Sequence, residues 1–311
     1  MMTDRNSAPQ QRMISPKAWA LLAVLALIWG GSFVANRAAL AELGVATTVA
    51  FRVGGAALVL WVYIGARGLP VPRGAQWLKT CLVLGTLNNV VPFCLIVWGQ
   101  THIQSGLAGI LNATTTVFTV VLAAFVYPDE RLTARKAFGV AIGLAGVVAT
   151  IGPQALSHLD ITSLGQLAIL GAALSYTLAG IYGRRALSGI RPEVGAAGML
   201  TVSSAIMIVA ALTLDGAPSL AYLPQTWAAL GYLALLSSAL AYILFYRILQ
   251  LAGAGNLSLV TMLIAPVAVV MGAVIYHEHL PVTAYLGLLL LALGMAVIDG
   301  RILAIFRVKT P

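Results

Sequence analysis

Charge is what this sequence has least of. Of 311 residues only 9% are charged, against 60% that are hydrophobic. Soluble domains carry about 25% charged residues, which excludes a water-soluble globule with an oversized core. No polar stretch is long enough to fold as a soluble domain beside the apolar runs, so most of the chain is lipid-embedded. Acidic residues are scarcest. There are 9, and Glu130, Asp215, Glu278 and Asp299 all fall near the ends of apolar runs. Proton-driven antiport of cations usually needs a carboxylate inside the membrane, so that mechanism is disfavoured. Cysteine is nearly absent: Cys81 and Cys94 share one apolar run, about 20 Å apart along a helix, beyond the reach of a disulfide. A paired mid-span Asp set, a His beside a reactive Ser and a phosphate-cradling loop are all missing. An intramembrane hydrolase or transferase therefore lacks its catalytic groups.

What is present is a series of apolar runs, each near the ~20 residues that cross a bilayer. They fall at 18–38, 45–66, 77–99, 104–127, 134–152, 163–183, 194–214, 226–248, 255–276 and 282–302. The joints between them, such as "RGLPVPRG" and "SGIRPE", carry the Gly, Pro and polar residues of turns. The first run is too long for the core of a signal peptide and no small-residue cleavage site follows, so it reads as an uncleaved span. The expected architecture is an all-α polytopic membrane protein with ten transmembrane helices.

The net charge of +9 comes from basic residues scattered between apolar runs, which signals topology rather than nucleic-acid binding. With the N-terminus in the cytoplasm, Arg5, Arg12, Lys17, Arg67, Arg73, Lys79, Arg131, Arg135, Lys136, Arg184, Arg185, Arg191, Arg247, Arg301, Arg307 and Lys309 share one side. Of the 18 basic residues only Arg37 lies opposite and only Arg52 lies within a span. Both termini are therefore expected in the cytoplasm, with an even helix count.

A repeat runs through the chain. At a shift of 148 residues Glu130 meets Glu278, Leu132 meets Leu280, Gly139 meets Gly287, Gly146 meets Gly294 and Asn89 meets Ser237. At a shift of 147, "WGGSFVANRAAL" lies against "YTLAGIYGRRAL", pairing Trp29 with Tyr176 and Arg37 with Arg184. Five helices per half is an odd number, so the second half enters the membrane from the other side. Inverted repeats place two similar bundles around a midplane site, and rocking between them alternates access. The units are residues 18–152 and 163–302, flanked by tails 1–17 and 303–311.

Several polar groups sit inside the spans. Arg52, about 10 Å into the second helix, is either functional or snorkels to carbonyls at a helix end. Asn88 and Asn89 precede Pro92, which removes a donor and kinks the helix. Ser237, Ser238 and Tyr242 are their counterparts in the eighth. These pairs either line a cavity or bind helices together. Asn112, Thr115 and Thr116 in the fourth helix and Thr261 in the ninth add hydroxyls that can equally bond back to their own helices. Of the aromatic residues Trp29, Phe33, Trp98, Tyr176, Tyr242 and Tyr246, some simply pack and others wall a cavity, Trp29 and Tyr176 foremost because they align between the repeats near mid-span. Substrate-binding candidates are thus Trp29, Phe33, Asn88, Asn89, Trp98, Asn112, Thr115, Tyr176, Ser237, Ser238, Tyr242 and Thr261. Arg52, Pro92, Glu130, Pro266 and Glu278 are expected to gate or brace. His277-Glu278-His279 is no metal site, because neighbouring helix-end residues diverge by about 100° and no further ligands cluster nearby. Glu278 is instead expected to cap the helix that follows it. The Gly-rich fifth and tenth helices look like peripheral scaffold.

"LALIWGGSFVANRAAL", an Arg in the second helix, and the paired "YPDERLTARKAFGVAIGLAGVVATIG" and "YHEHLPVTAYLGLLLLALGMAVIDG" resemble the EamA group of the drug/metabolite transporter superfamily. The resemblance covers essentially the whole chain as two units. It implies ten helices in inverted five-helix repeats and a central cavity, commonly for export of amino acids or other metabolites; exporters of aromatic amino acids look most similar. One departure is "NATTTVF" in the fourth helix, where such units often carry proline; Pro266 supplies one in the ninth. The expected protein is a bacterial inner-membrane exporter of neutral or zwitterionic solutes, free of metal and cofactor, with the lipid bilayer and a small substrate as its partners; the sequence leaves its oligomeric state open, a monomer being compatible with it. A multidrug exporter, and in another class a non-transporting scaffold, are the alternatives.

Overall fold

Inside hydrocarbon a backbone must satisfy its own hydrogen bonds, and the apolar runs do so as helices. The computed structural model describes residues 15–127, 132–151, 161–252, 257 and 259–299. Glu130 and both polar tails up to 14 and from 300 lie outside the described residues. Among the described residues the helices are α1 (Pro16–Ala39), α2 (Val45–Ala66), α3 (Ala75–Gly99), α4 (Ser105–Val126), α5 (Ala134–Ile151), α6 (Ile161–Ala186), α7 (Pro192–Asp215), α8 (Pro224–Ala252), α9 (Leu259–Tyr276) and α10 (Val282–Asp299). Eight are long and apolar enough to cross a membrane, and α9 and α10 add the shorter apolar stretches Leu263–Tyr276 and Val282–Ile298. The fold is all-helical and polytopic.

Local chemistry sets the helix ends. Ser15 accepts a hydrogen bond from the Ala18 amide ahead of Pro16, and Pro192 and Pro224 open α7 and α8, where proline's missing N–H costs nothing. Gly68 (φ 58°) follows α2 and Gly216 (φ 87°) follows α7. They stand 148 residues apart, so the same left-handed stop closes equivalent helices.

Helix pairing obeys the same repeat. α1 packs on α9 as α6 packs on α4; α1 on α8 as α6 on α3; α2 on α8 as α7 on α3. Three pairs, α2–α7, α4–α9 and α5–α10, join equivalent helices directly. The α5–α10 crossing is built from glycines that the repeat aligns. A Cβ on Gly139 would sit 2.7 Å from Gly294 O, one on Gly146 2.9 Å from Gly287 O, and one on Gly294 2.6 Å from Gly139 O. Residue numbers rise on one helix as they fall on the other, so these equivalent helices run antiparallel, as five helices per half requires. Small residues let the backbones approach this closely, which fits the scaffold role expected for these helices.

Three stretches depart from α geometry: Thr86–Val90 in α3, Ala211–Asp215 in α7 and Tyr232–Leu240 in α8 are π-helical. The first and third are repeat counterparts. Pro92 was expected to kink α3, and the disturbance lies just before it as a π turn, with the Val91 amide reaching back five residues to Thr86 O. The ninth helix runs through Pro266 without a break. The interruption falls in α4, at Ala113 between Ser105–Asn112 and Thr114–Val126. Thr114 and Thr115 donate their hydroxyls to Leu111 O and Asn112 O, both at 2.7 Å, a competition with the helical ladder that breaks it without proline.

Replacing Gly294 with Val puts side-chain atoms into the α10–α5 backbone contact and is expected to lower stability by about 1–3 kcal/mol or prevent folding. Gly180, beside which a Cβ meets nothing within 4 Å, tolerates Ala; thermal unfolding of both variants in detergent checks the contrast.

Candidate central site and its comparisons

The π segment of α3 sets its asparagines against Tyr242, which follows the π segment of α8. Asn88 Nδ2 donates to the Tyr242 hydroxyl (2.8 Å), which donates to Asn89 Oδ1 (3.0 Å). Asn89 Nδ2 donates in turn to Ser203 Oγ on α7 at 3.1 Å. Asn89, Ser203, Ser237 and Ser238 are all buried. A π turn leaves carbonyls without their usual partners, and side chains from the first helix of each half reach them. Trp29 Nε1 donates to Ser237 O (3.1 Å), and Ser175 Oγ donates to Leu87 O (2.7 Å). The neighbours Ser175 and Tyr176 thus play on α6 the part that Trp29 plays on α1.

Arg52 enters this centre from α2. It is 6% exposed; Nε donates to Ser238 Oγ and Nη2 to Ser237 Oγ, both at 3.1 Å. The guanidinium carbon lies 3.8 Å from the centroid of the Phe93 ring, and Phe93 meets Tyr176 edge-on at 6.5 Å. It does not reach carbonyls at a helix end. On the other side Trp29 packs on Phe245 (5.8 Å), Phe245 on Tyr246 (5.2 Å) and Tyr246 on Tyr242 (6.5 Å). Trp29, Asn88, Tyr176, Tyr242, Phe245 and Tyr246 are only half-buried. The result is a buried polar floor with aromatic walls, assembled from α1, α2, α3, α6, α7 and α8.

Seven of the expected binding residues belong to this connected set: Trp29, Asn88, Asn89, Tyr176, Ser237, Ser238 and Tyr242. Others do not join it. Phe33 is packed in the core at 3% exposure, and Trp98 meets His102 at a tilt, ring centroids 4.7 Å apart, near the end of α3; each is aromatic but sits too far along its helix. Thr115 bonds back to its own helix, while Thr116 and Thr261 join α4 to α9 through their hydroxyls at 2.8 Å. Asn112 is half-buried and its Oδ1 finds no partner among the described residues. Sequence reading missed Phe93, Ser175, Ser203 and Phe245. Phe93 and Ser175 adjoin residues it chose, but nothing in hydropathy marks which neighbour faces inward.

Glu278 departs from expectation. It caps the N-terminus of α4 in the other half rather than α10. Its Oε1 accepts from the Ser105 amide and its Oε2 from the Gly106 amide, both at 2.9 Å, and Arg37 completes an ion pair at 2.5 Å. Arg37 also lies 4.4 Å from the Tyr276 ring centroid. His277 takes φ 52°, and the Glu278 amide turns back to Gly272 O at 3.2 Å, which aims the carboxylate sideways instead of forward. Beside this clasp, Asn36 Nδ2 donates to Gln100 Oε1 (2.9 Å) and Gln100 Nε2 to Phe33 O (2.7 Å), both buried. The opposite face holds the basic loops. Arg184 stacks on Tyr127 (4.3 Å), and Pro70–Pro72 and Gly189–Arg191 line an open pocket of about 260 Å³.

A two-fold-related helical bundle with a polar, aromatic-walled centre and an ion-paired face defines a class of membrane protein built for moving small solutes. The family model of the EamA-like transporters matches twice, over residues 17–152 and 163–299, and the chain belongs to that family. It is 23% identical to an uncharacterized transporter, YoaV, of Bacillus subtilis (strain 168), over 86% of this chain and 92% of that one. A probable amino-acid metabolite efflux pump of Escherichia coli (strain K12) is 27% identical over 65% of this chain and 69% of that one. A solved crystal structure with 18% identity superimposes with a TM-score of 0.67, covering 91% of this chain and 98% of the other, which supports the fold alone.

Exchanging Tyr242 for Phe strands Asn89 Oδ1 and leaves Asn88 Nδ2 only the Met199 sulfur at 3.7 Å. The expected loss is about 1–3 kcal/mol, read as a lower unfolding temperature with an unchanged elution profile.

Proposed function

We propose that this membrane transporter exports small neutral or zwitterionic metabolites, foremost amino acids with apolar or aromatic side chains. It works by alternating access around the α1–α3–α6–α8 centre, as ten spans in a bacterial inner membrane with both termini cytoplasmic. The observation that carries this reading is the Asn88–Tyr242–Asn89–Ser203 chain beside half-buried aromatic rings. Uncharged donors and acceptors in a dry setting fix a polar head, and rings accept an apolar body. Within the described residues no carboxylate joins that centre, so a cationic drug finds no counter-charge there. The efflux pump among the relatives, named for amino-acid metabolites, points the same way.

The equivalent helices α2–α7, α4–α9 and α5–α10 meet across the axis between halves, so the two bundles can rock against each other around a shared centre. The Arg37–Glu278 pair closes one face, and exchanging faces requires that pair to part. One chain supplies every element of the centre, which suits a monomer. The concentration of basic residues in the loops on the other face supports its assignment to the cytoplasm.

Counterflow of labelled phenylalanine, tryptophan and leucine into proteoliposomes tests the proposal. Protein-dependent flux of at least one is expected, falling about tenfold or more in a Trp29→Ala variant; no flux of any amino acid would sink it.

A further inference from the structure

Arg52 is a buried cation without a buried anion. Its two hydrogen-bond partners, Ser237 and Ser238, are neutral hydroxyls, its flat face rests on Phe93, and Nη1 carries no hydrogen bond among the described residues. No described carboxylate pairs with Arg52: Glu193, at the start of α7, acts electrostatically on Tyr246, and three more are committed elsewhere. Glu278 holds Arg37 and the start of α4. Asp215 accepts from the Thr47 amide at 2.7 Å, and Glu42 accepts from the Leu223 amide at 2.9 Å and from the Thr226 hydroxyl. Burying an unpaired charge costs several kcal/mol even after relaxation, and hydroxyl donors with one ring face return only part of it. A stability role alone would be served as well by an apolar side chain, so the cation has another use.

We propose that Arg52 is the docking point for the carboxylate of the transported solute, which makes the substrates α-amino acids and related small monocarboxylates rather than amines or neutral amides. This rests on the transport reading above and narrows it. A carboxylate meets the planar fork of a guanidinium with two parallel hydrogen bonds, and Nη1 and Nη2 supply that edge once Nη2 leaves Ser237. A single cation balances a monoanion; a phosphate dianion would remain half-compensated. With the head on Arg52, an apolar side chain extends towards the rings around Tyr176 and Trp29.

The same geometry ties loading to the helices. Ser237 accepts from Arg52 through its hydroxyl and from Trp29 through its carbonyl, so α2, α8 and α1 meet at one residue. A carboxylate that takes Nη2 frees the Ser237 hydroxyl from α2, while Nε keeps its bond to Ser238 and Trp29 keeps α1 on α8.

The test compares phenylalanine with phenethylamine, which is the same molecule without the carboxylate, and leucine with isoamylamine. Each is offered to the purified full-length chain as competitor in counterflow and as ligand in thermal-shift titration. With wild-type protein the amino acids are expected to bind at least about tenfold more tightly than their amines. In Arg52→Gln, which keeps polar contact with the serines, the preference for the amino acid over its amine is expected to disappear; Arg52→Lys falls between. Equal affinity of the wild type for acid and amine overturns the proposal and leaves the transport reading standing. So does an unchanged preference in Arg52→Gln. The wild-type comparison decides even if every variant fails to fold. If neither amino acids nor amines bind or move, the transport reading itself fails, and the role of Arg52 with it.

Discussion

Every feature of this bundle follows from one constraint: a backbone in hydrocarbon has no water to complete its hydrogen bonds. A continuous α-helix meets that constraint unaided, and most of the chain takes this route. The π segments of α3 and α8 do not. They release carbonyls in the middle of the membrane, and each is rescued by a side chain from the first helix of a half, Ser175 on Leu87 O and Trp29 on Ser237 O. The rescue fixes α1 to α8 and α6 to α3, and beside it Asn88 and Asn89 bond Tyr242 while Ser237 and Ser238 hold Arg52. The centre therefore exists because two helices are irregular at equivalent places.

Around that centre the two halves are braced differently at their ends. Where α5 crosses α10, glycines bring backbone against backbone, with no room for change. Where α4 begins, a single carboxylate from the loop after α9 holds two amides and a guanidinium. Contacts of the first kind suit a rigid frame. A clasp of the second kind can be exchanged for water when a face opens. Rigidity and release thus fall on different helices, as the proposed rocking about the centre requires.

Much of this was legible in the residues. Long apolar runs give the helices, the 148-residue shift pairs Gly139 with Gly287 and Gly146 with Gly294, and the polar pairs in α3 and α8 stand out against an apolar background. Geometry decided what periodicity left open. Whether a helix steps by four residues or five depends on which donors lie across from it, so the π segments have no mark in hydropathy. The break fell in α4, at the threonines near Ala113, and not in α9 at Pro266, since hydroxyls can unseat a helical bond while a proline's lost donor is absorbed by its surroundings. Phe33 and Trp98 have the right chemistry at the wrong depth. Glu278 was recognised as a cap, but its helix lies in the other half, because the left-handed turn at His277 points it there.

The central claim is that the solute rests between the two π segments, within reach of Arg52, Tyr176 and Trp29. A structure determined in lipid nanodiscs with phenylalanine at saturating concentration tests this most directly. The account predicts solute density between α3 and α8, with its carboxylate at Arg52 and its ring towards Trp29 and Tyr176. Solute density confined to the basic loops or the lipid-facing surface, with the α3–α8 centre closed by side chains alone, would contradict it.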